Sequence, residues 1–185
     1  MRIIAGSLGG RLFASPRGHR THPMSDKVRG ALFNILGDIT GLTVLDAFAG
    51  TGALGFEAIS RGAKSAILVE RDRSAQKTLY ENIVTLGLED QVSLVSAGAG
   101  PWLRSNKMTF DIVLLDPPYD ALQVDLLELL IARVKPDGRI VLSWPGKTEV
   151  PRIRGVVEIS HKNYGDASLY IFRPQTSAEL YGWPA

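Results

Sequence analysis

The apolar run Ile112-Val113-Leu114-Leu115 reads as a buried strand, and it stops abruptly at Asp116-Pro117-Pro118-Tyr119. Proline fixes φ and has no N–H, so this corner is stiff and offers acceptors: the Asp116 carboxylate and the Pro117 carbonyl. Two rigid acceptors match an exocyclic amine, which has two protons to donate. An aryl amine is a weak nucleophile because its lone pair is delocalised into the ring. Hydrogen bonds from both protons would favour a pyramidal nitrogen and aim the pair at an electrophile. Tyr119 would stack on the base face, a contact worth roughly 1–3 kcal/mol, and the base must be unpaired or flipped out to arrive. The alkylated amine is strongly acidic, so no strong general base is needed. The plain structural reading is a rigid loop whose acid caps the next helix.

A second constellation lies upstream. Gly50, Gly52 and Gly55 fall in G-x-G-x-x-G spacing, directly after a strand pattern and at the opening of a helix pattern. Glu70 ends the next strand pattern, where a carboxylate can accept from both hydroxyls of a ribose. A dinucleotide would lay its pyrophosphate on this loop. Asp46, four residues before Gly50, would repel those phosphates and suits a ligand with a cationic group, such as the amino group of S-adenosylmethionine. The competing role for Asp46 is a loop cap.

Helices and strands must hold these two corners. Residues 1–22 read as a hairpin and loop, RIIA and RLFA around a Gly-Ser-Leu-Gly-Gly corner. Ser25 is a candidate N-cap for a helix over Asp26–Leu36 that Gly37 ends. Strand patterns then alternate with helices: strands at 43–48, 65–70, 91–96, 110–116 and 139–144, and helices at 53–61, 74–86, 101–105 and 122–134. Pro136-Asp137-Gly138 reads as the turn into the strand at 139–144. This alternation predicts an α/β fold with a mostly parallel sheet. The stretches 156–161 and 168–173 flank Asn163-Tyr164-Gly165-Asp166, which predicts a C-terminal antiparallel hairpin at one sheet edge.

Composition narrows the field. The chain has 185 residues and no Cys, which excludes disulfides, thiolate zinc sites, iron–sulfur clusters and a thiolate nucleophile. Carbon-5 methylation of cytosine, which needs that nucleophile, goes with them. His19, His22 and His161 show no metal-ligand spacing, so no metal is expected. With no membrane-length apolar run and no secretory leader, the expected compartment is the cytoplasm. The first 30 residues hold six Lys/Arg and one acid, whereas the whole chain is +2, so the arm is +5 and the remainder −3. A basic arm on a mildly acidic body suggests a polyanionic partner, with Arg11, Arg17, Arg20 and Arg29 as candidate phosphate contacts; a merely solvated face is the alternative. Trp102, Trp144 and Trp183 are expected in packing rather than as base platforms.

Taken together, RIIAG, the SDKVR…LFNIL helix, LDAFAGTGALGFEAISRGA, LVERD, LDPPY and YGDASLYIF resemble the bacterial 16S rRNA guanine-N2 methyltransferase family, within the S-adenosylmethionine-dependent DPPY methyltransferases. The resemblance implies a Rossmann-like seven-stranded methyltransferase sheet over 41–185, with residues 1–40 as an RNA-contacting hairpin and helix. It implies S-adenosylmethionine as cofactor, a guanine N2 as target, and 16S rRNA in a small-subunit ribosomal particle as partner. It places the cofactor at Ser25, Asp46, Phe48, Gly50, Gly52 and Glu70, and catalysis at Asp116, Pro117, Pro118 and Tyr119. The chain departs from the family pattern at His22-Pro23-Met24, at Gly30, and at Gly98, where an acid near the adenine amine is usual. With that acid missing, the two alternatives are a weaker affinity for the cofactor or a backbone carbonyl near Ala97–Ala99, at Gly98 or Ala99, as the substitute acceptor. The same corner would serve adenine N6 or cytosine N4 in DNA, and a non-catalytic nucleotide- or RNA-binding module is the alternative of a different class.

Overall fold

A computed structural model describes residues 1–16, 24–118, 124–176 and Glu179. After an N-terminal hairpin the elements run α1 (Asp26–Leu36), β1 (Thr43–Asp46), α2 (Ala53–Ser60), β2 (Ser65–Glu70), α3 (Arg73–Leu86), β3 (Val92–Ser96) and α4 (Ala99–Ser105). They continue with β4 (Phe110–Leu115), α5 (Val124–Ile131), β5 (Val134–Pro145), β6 (Val156–Asn163) and β7 (Ala167–Pro174). Seven strands form one sheet in the order β3-β2-β1-β4-β5-β7-β6. The first five are parallel, and β7 inserts antiparallel between β5 and the edge strand β6. This is the Rossmann-like seven-stranded sheet with a C-terminal antiparallel hairpin that the resemblance implies.

Helices cover both faces, so the central strands read as unbroken apolar runs rather than alternating ones. Along β1, Val44 faces a core shared with Leu32, Phe56 and Leu79, and Leu45 faces a second one with Trp102, Leu127 and Leu130. Burying each such side chain contributes roughly 1.5–3 kcal/mol. Local signals fix the helix ends. The Ser25 hydroxyl accepts from the Val28 amide, Asp72 caps α3 through the Ala75 amide, and Gly87 ends α3 at φ 70°. No helix among the described residues is long and apolar enough to cross a membrane.

Two elements differ from the sequence reading. The Pro136-Asp137-Gly138 turn is a bulge inside a longer β5, because pairing steps from Phe110↔Val134 to Ile112↔Arg139. Gly138 is required there, since a Cβ would lie 2.6 Å from the Asp111 carbonyl oxygen. Helix α4 begins two residues before Pro101, which the first turn tolerates because its amide needs no partner.

The hairpin packs into the common core: Ile3 and Phe13 belong to the cluster that holds Leu32 and Phe56. Its polar anchor is Glu57 on α2, 0% exposed, whose carboxylate accepts from the Ile4 amide at 2.7 Å and the Ala5 amide at 3.2 Å. Arg61 donates to the same carboxylate at 2.7 Å, and Arg29 lies 3.9 Å away. Ser60 receives the Leu8 amide on its hydroxyl, and the Asn82 amide on α3 both gives to and takes from Ala14. Gly6, at φ 83°, passes so close to the end of α2 that a Cβ would sit 1.8 Å from the Ser60 carbonyl oxygen.

Candidate active site

Strands β1 and β4 are neighbours, and the order of the sheet reverses between them. In open α/β sheets ligands bind at such a switch, beyond the carboxyl ends of the strands. Asp46, the last residue of β1, lies across from Leu114, so Asp116 leaves β4 two residues beyond that pair. Neighbouring strands are about 4.8 Å apart. The two corners singled out in the sequence therefore share one rim.

The loop after β1 is stitched to both flanking strands. The Ala47 amide donates to Leu114, the Ala49 amide to Val69, and the Gly52 amide back to Ala49. Gly50 and Gly52 have φ of 53° and 80°, a region that disfavours side chains. A Cβ on Gly52 would also meet Leu79 Cδ2 at 2.5 Å, and one on Gly55 would meet Leu68 Cδ1 at 2.7 Å. Gly55 thus serves the close packing of α2 on β2. Glu70 ties the loop down: its carboxylate accepts from the Gly50 amide and the Asp72 amide, each at 2.7 Å. Lone pairs remain on both oxygens for a further donor.

Asp46 is a strongly perturbed group at the rim. It is 1% exposed and neither carboxylate oxygen meets a donor at hydrogen-bonding geometry. Burial pushes its pKa up to about 7, and the Asp116 and Glu70 charges add to the rise. The amides of Phe48 and Gly55 face it and offset this only in part. A buried carboxylate without a donor is costly, and a cation is what would relieve it. Burial also raises the pKa of Asp116, opposed by a hydrogen bond from the Ser143 hydroxyl on β5. Three carboxylates on one rim make a cation-seeking site. S-adenosylmethionine carries an ammonium and a sulfonium, and its donor set fits these residues.

The other expected site residues distribute as follows. Phe48 is half-buried in the loop, Pro117 is buried and Pro118 exposed. Gly98 is the N-cap of α4, two residues beyond Ser96, which pairs with Glu70; Gly98 and Ala99 therefore sit on the same rim. Ser25 caps α1. Tyr119, Arg17 and Arg20 lie outside the described residues, as do His19, His22 and Trp183. Arg11 is exposed and its guanidinium donates to the Leu86 and Thr85 carbonyls at the end of α3, each at 3.1 Å.

Arg29 corrects an expectation. Its side chain is 0% exposed and donates to the Met24 and Arg2 carbonyls and to Asp26, so it is a buried strut rather than a phosphate contact. Trp102 and Trp144 are packed in the second core. Sequence reasoning missed Ser143, Glu57 and Gly6. The single hydroxyl interrupting the apolar run Ile140–Trp144 was the one available signal for Ser143.

The family model described as Conserved hypothetical protein 95 matches residues 1–173. YlbH of Bacillus subtilis, named as a candidate rRNA methyltransferase, is 34% identical over 181 residues, covering 94% of this chain and 98% of the relative. Ribosomal RNA small subunit methyltransferase D of Escherichia coli is 39% identical over 120 residues; the match spans 64% of this chain and 60% of that protein. A solved Escherichia coli structure, described as the candidate methyltransferase yhhF, superposes with a TM-score of 0.85 at 30% identity, over 95% of this chain and 98% of that one.

Proposed function

This chain belongs to the Conserved hypothetical protein 95 family, and from that premise we propose that it transfers a methyl group from S-adenosylmethionine to the exocyclic N2 amine of a guanine in 16S rRNA. The observation that carries the reading is the placement of Asp46 and Asp116 at the ends of adjacent strands. The names of the relatives support the RNA class: one is a small-subunit rRNA methyltransferase and another a candidate rRNA methyltransferase. The guanine N2, a ribosomal particle as the form of the substrate, and a cytoplasmic setting complete the proposal.

S-adenosylmethionine supplies, when bound, an electrophilic methyl group on a sulfonium. Asp46 would hold its ammonium, Glu70 its ribose hydroxyls, and the Gly98–Ala99 backbone its adenine, with Phe48, Gly50 and Gly52 forming the wall. The ionised Asp116 is acceptor-only and takes one proton of the amine in a hydrogen bond. The Pro117 carbonyl takes the other, and Tyr119 stacks on the base. These contacts pyramidalise the nitrogen and aim its lone pair, so the chain contributes positioning and electrostatics rather than proton abstraction. The hairpin of residues 1–16, docked on α2 and α3, carries Arg11 as a phosphate contact, and Arg17 and Arg20 are the further candidates within the RNA-contacting extension of residues 1–40.

The test is incubation with methyl-labelled S-adenosylmethionine and either small-subunit rRNA, small-subunit particles or duplex DNA. Label should enter the RNA or the particle, and Asp116→Ala should lower the rate at least 100-fold. Incorporation into DNA alone would move the reading to a DNA amine. Cofactor binding without incorporation anywhere would favour a binding module.

A further inference from the structure

We propose that Ser143 is a positioning residue for methyl transfer: its hydroxyl orients the Asp116 carboxylate and keeps it the acceptor that receives the substrate amine. The proposal rests on the function given above. Pairing between β4 and β5 ends with Leu114↔Val141 and Leu115↔Leu142, so the next step along both strands sets Asp116 against Ser143. Side chains alternate faces along a strand. Val141 packs in the core beneath α1–α3 and Leu142 in the opposite one, which returns Ser143 to the face that Leu114 and Val141 share.

Ser143 is 3% exposed in an otherwise apolar run. A hydroxyl buried there is unfavourable without partners, and the Asp116 carboxylate, whose pKa the Ser143 side chain lowers, is one within its reach. Its backbone pairs with Leu169 of β7 and lies one residue past the last β4 pair, Leu115↔Leu142. A carboxylate has about four lone-pair sites; a hydroxyl occupies one and leaves the rest for the amine. It also decides the charge. Burial favours protonated Asp116, and the Ser143 hydrogen bond opposes this. A protonated acid would present a donor where the amine needs an acceptor. Among the described residues, the other ionisable groups at this rim are Asp46 on β1, on whose carboxyl the Asp116 charge acts, and Glu70 on β2, which acts on Asp46.

Three measurements on wild type, Ser143→Ala and Ser143→Thr test this. They are the pH profile of kcat/KM for labelled methyl transfer, the cofactor Kd by calorimetry, and a carbon-13 NMR titration of the Asp116 carboxyl in the free protein. A hydrogen bond to a charged group is worth about tenfold or more in an equilibrium. Ser143→Ala should therefore move both the acid limb and the carboxyl titration up by about one pH unit. At pH below that limb kcat should fall about tenfold, with the cofactor Kd within twofold of wild type. Ser143→Thr, which keeps the hydroxyl, should restore most of the rate. An unmoved limb and titration in Ser143→Ala, or a loss confined to cofactor affinity, would overturn the proposal with the enzyme reading intact. Absence of transfer by wild type, whatever the titration does, would overturn the enzyme reading and this role together.

Discussion

Asp46→Asn is the substitution whose consequences the structure sets most tightly. In the folded chain the Asp46 carboxyl is 1% exposed with no hydrogen-bonding donor, and burial followed by the Asp116 charge lifts its pKa from 3.8 to about 7. Unfolded, it returns to about 4. Between about pH 4 and 7 the folded state holds a proton that the unfolded state has lost. Stability therefore falls as pH rises, by about 1.4 kcal/mol per unit, and the loss is complete above the folded pKa. Over about three units it amounts to roughly 4 kcal/mol. Asparagine carries no charge, so the variant lacks this slope. It still buries an unpartnered amide at a cost of roughly 1–3 kcal/mol, but that cost is independent of pH. The informative quantity is the change with pH of the difference between the two proteins. Urea unfolding followed by tryptophan fluorescence at several pH values from 4.5 to 8 should show Asp46→Asn gaining most of 4 kcal/mol on wild type. Parallel stability curves would refute the reasoning. By the same linkage, wild-type affinity for S-adenosylmethionine should rise up to pH 7 and then level off, and the variant should bind weakly throughout.

Gly6→Ala combines a strained φ of 83° with a Cβ at 1.8 Å from the Ser60 carbonyl oxygen, and should cost at least about 3 kcal/mol, read as a fall in Tm of roughly 6–12 °C. Arg29→Ala should cost roughly 2–5 kcal/mol by leaving the Met24 and Arg2 carbonyls without their buried donor, yet leave the salt dependence of RNA binding in the remaining folded protein unchanged. Arg11→Ala should do the reverse, reducing the log–log salt slope by nearly one with little change in stability. At Gly98, backbone angles of φ −74° and ψ 152° and a Cβ contact of 3.5 Å with Pro101 leave room for a side chain. Gly98→Asp should cap α4 for a few tenths of a kcal/mol, and calorimetry should show tighter binding of S-adenosylmethionine; unchanged affinity would remove Gly98 from the adenine site.

What was legible in the sequence was what depends on near neighbours. The caps Ser25, Gly37 and Gly87, the glycine loop between β1 and α2, and the proline corner after β4 all act within a few residues. The alternation of strands and helices gave the parallel sheet, and the Asn163–Asp166 turn gave the β6–β7 hairpin. What stayed hidden depends on partners far along the chain. Arg29 looked like one more cation in a basic arm, and its burial depends on the Arg2 carbonyl, 27 residues earlier, and on Glu57, 28 residues later, as well as on nearby Met24 and Asp26. Ser143 has meaning only once β5 lies beside β4, whose last pair, Leu115↔Leu142, leaves Ser143 and Asp116 one step further on. The turn at Pro136–Gly138 carried turn residues because a bulge needs the same backbone freedom, and only its pairing with β4 distinguishes the two. Gly30 breaks the helical pattern of α1 without a packing reason: a Cβ there would meet only Ile4 Cδ1, at 3.9 Å.

The most direct test of the central claim is nucleoside mass spectrometry of small-subunit rRNA after incubation with S-adenosylmethionine and either wild type or Asp116→Ala. Cofactor binding should be confirmed for both by calorimetry. Wild type should generate N2-methylguanosine, and Asp116→Ala should bind the methyl donor yet form at least 100-fold less. Methyl groups on a ring nitrogen, a carbon or a ribose hydroxyl, or full activity in Asp116→Ala, would contradict the account.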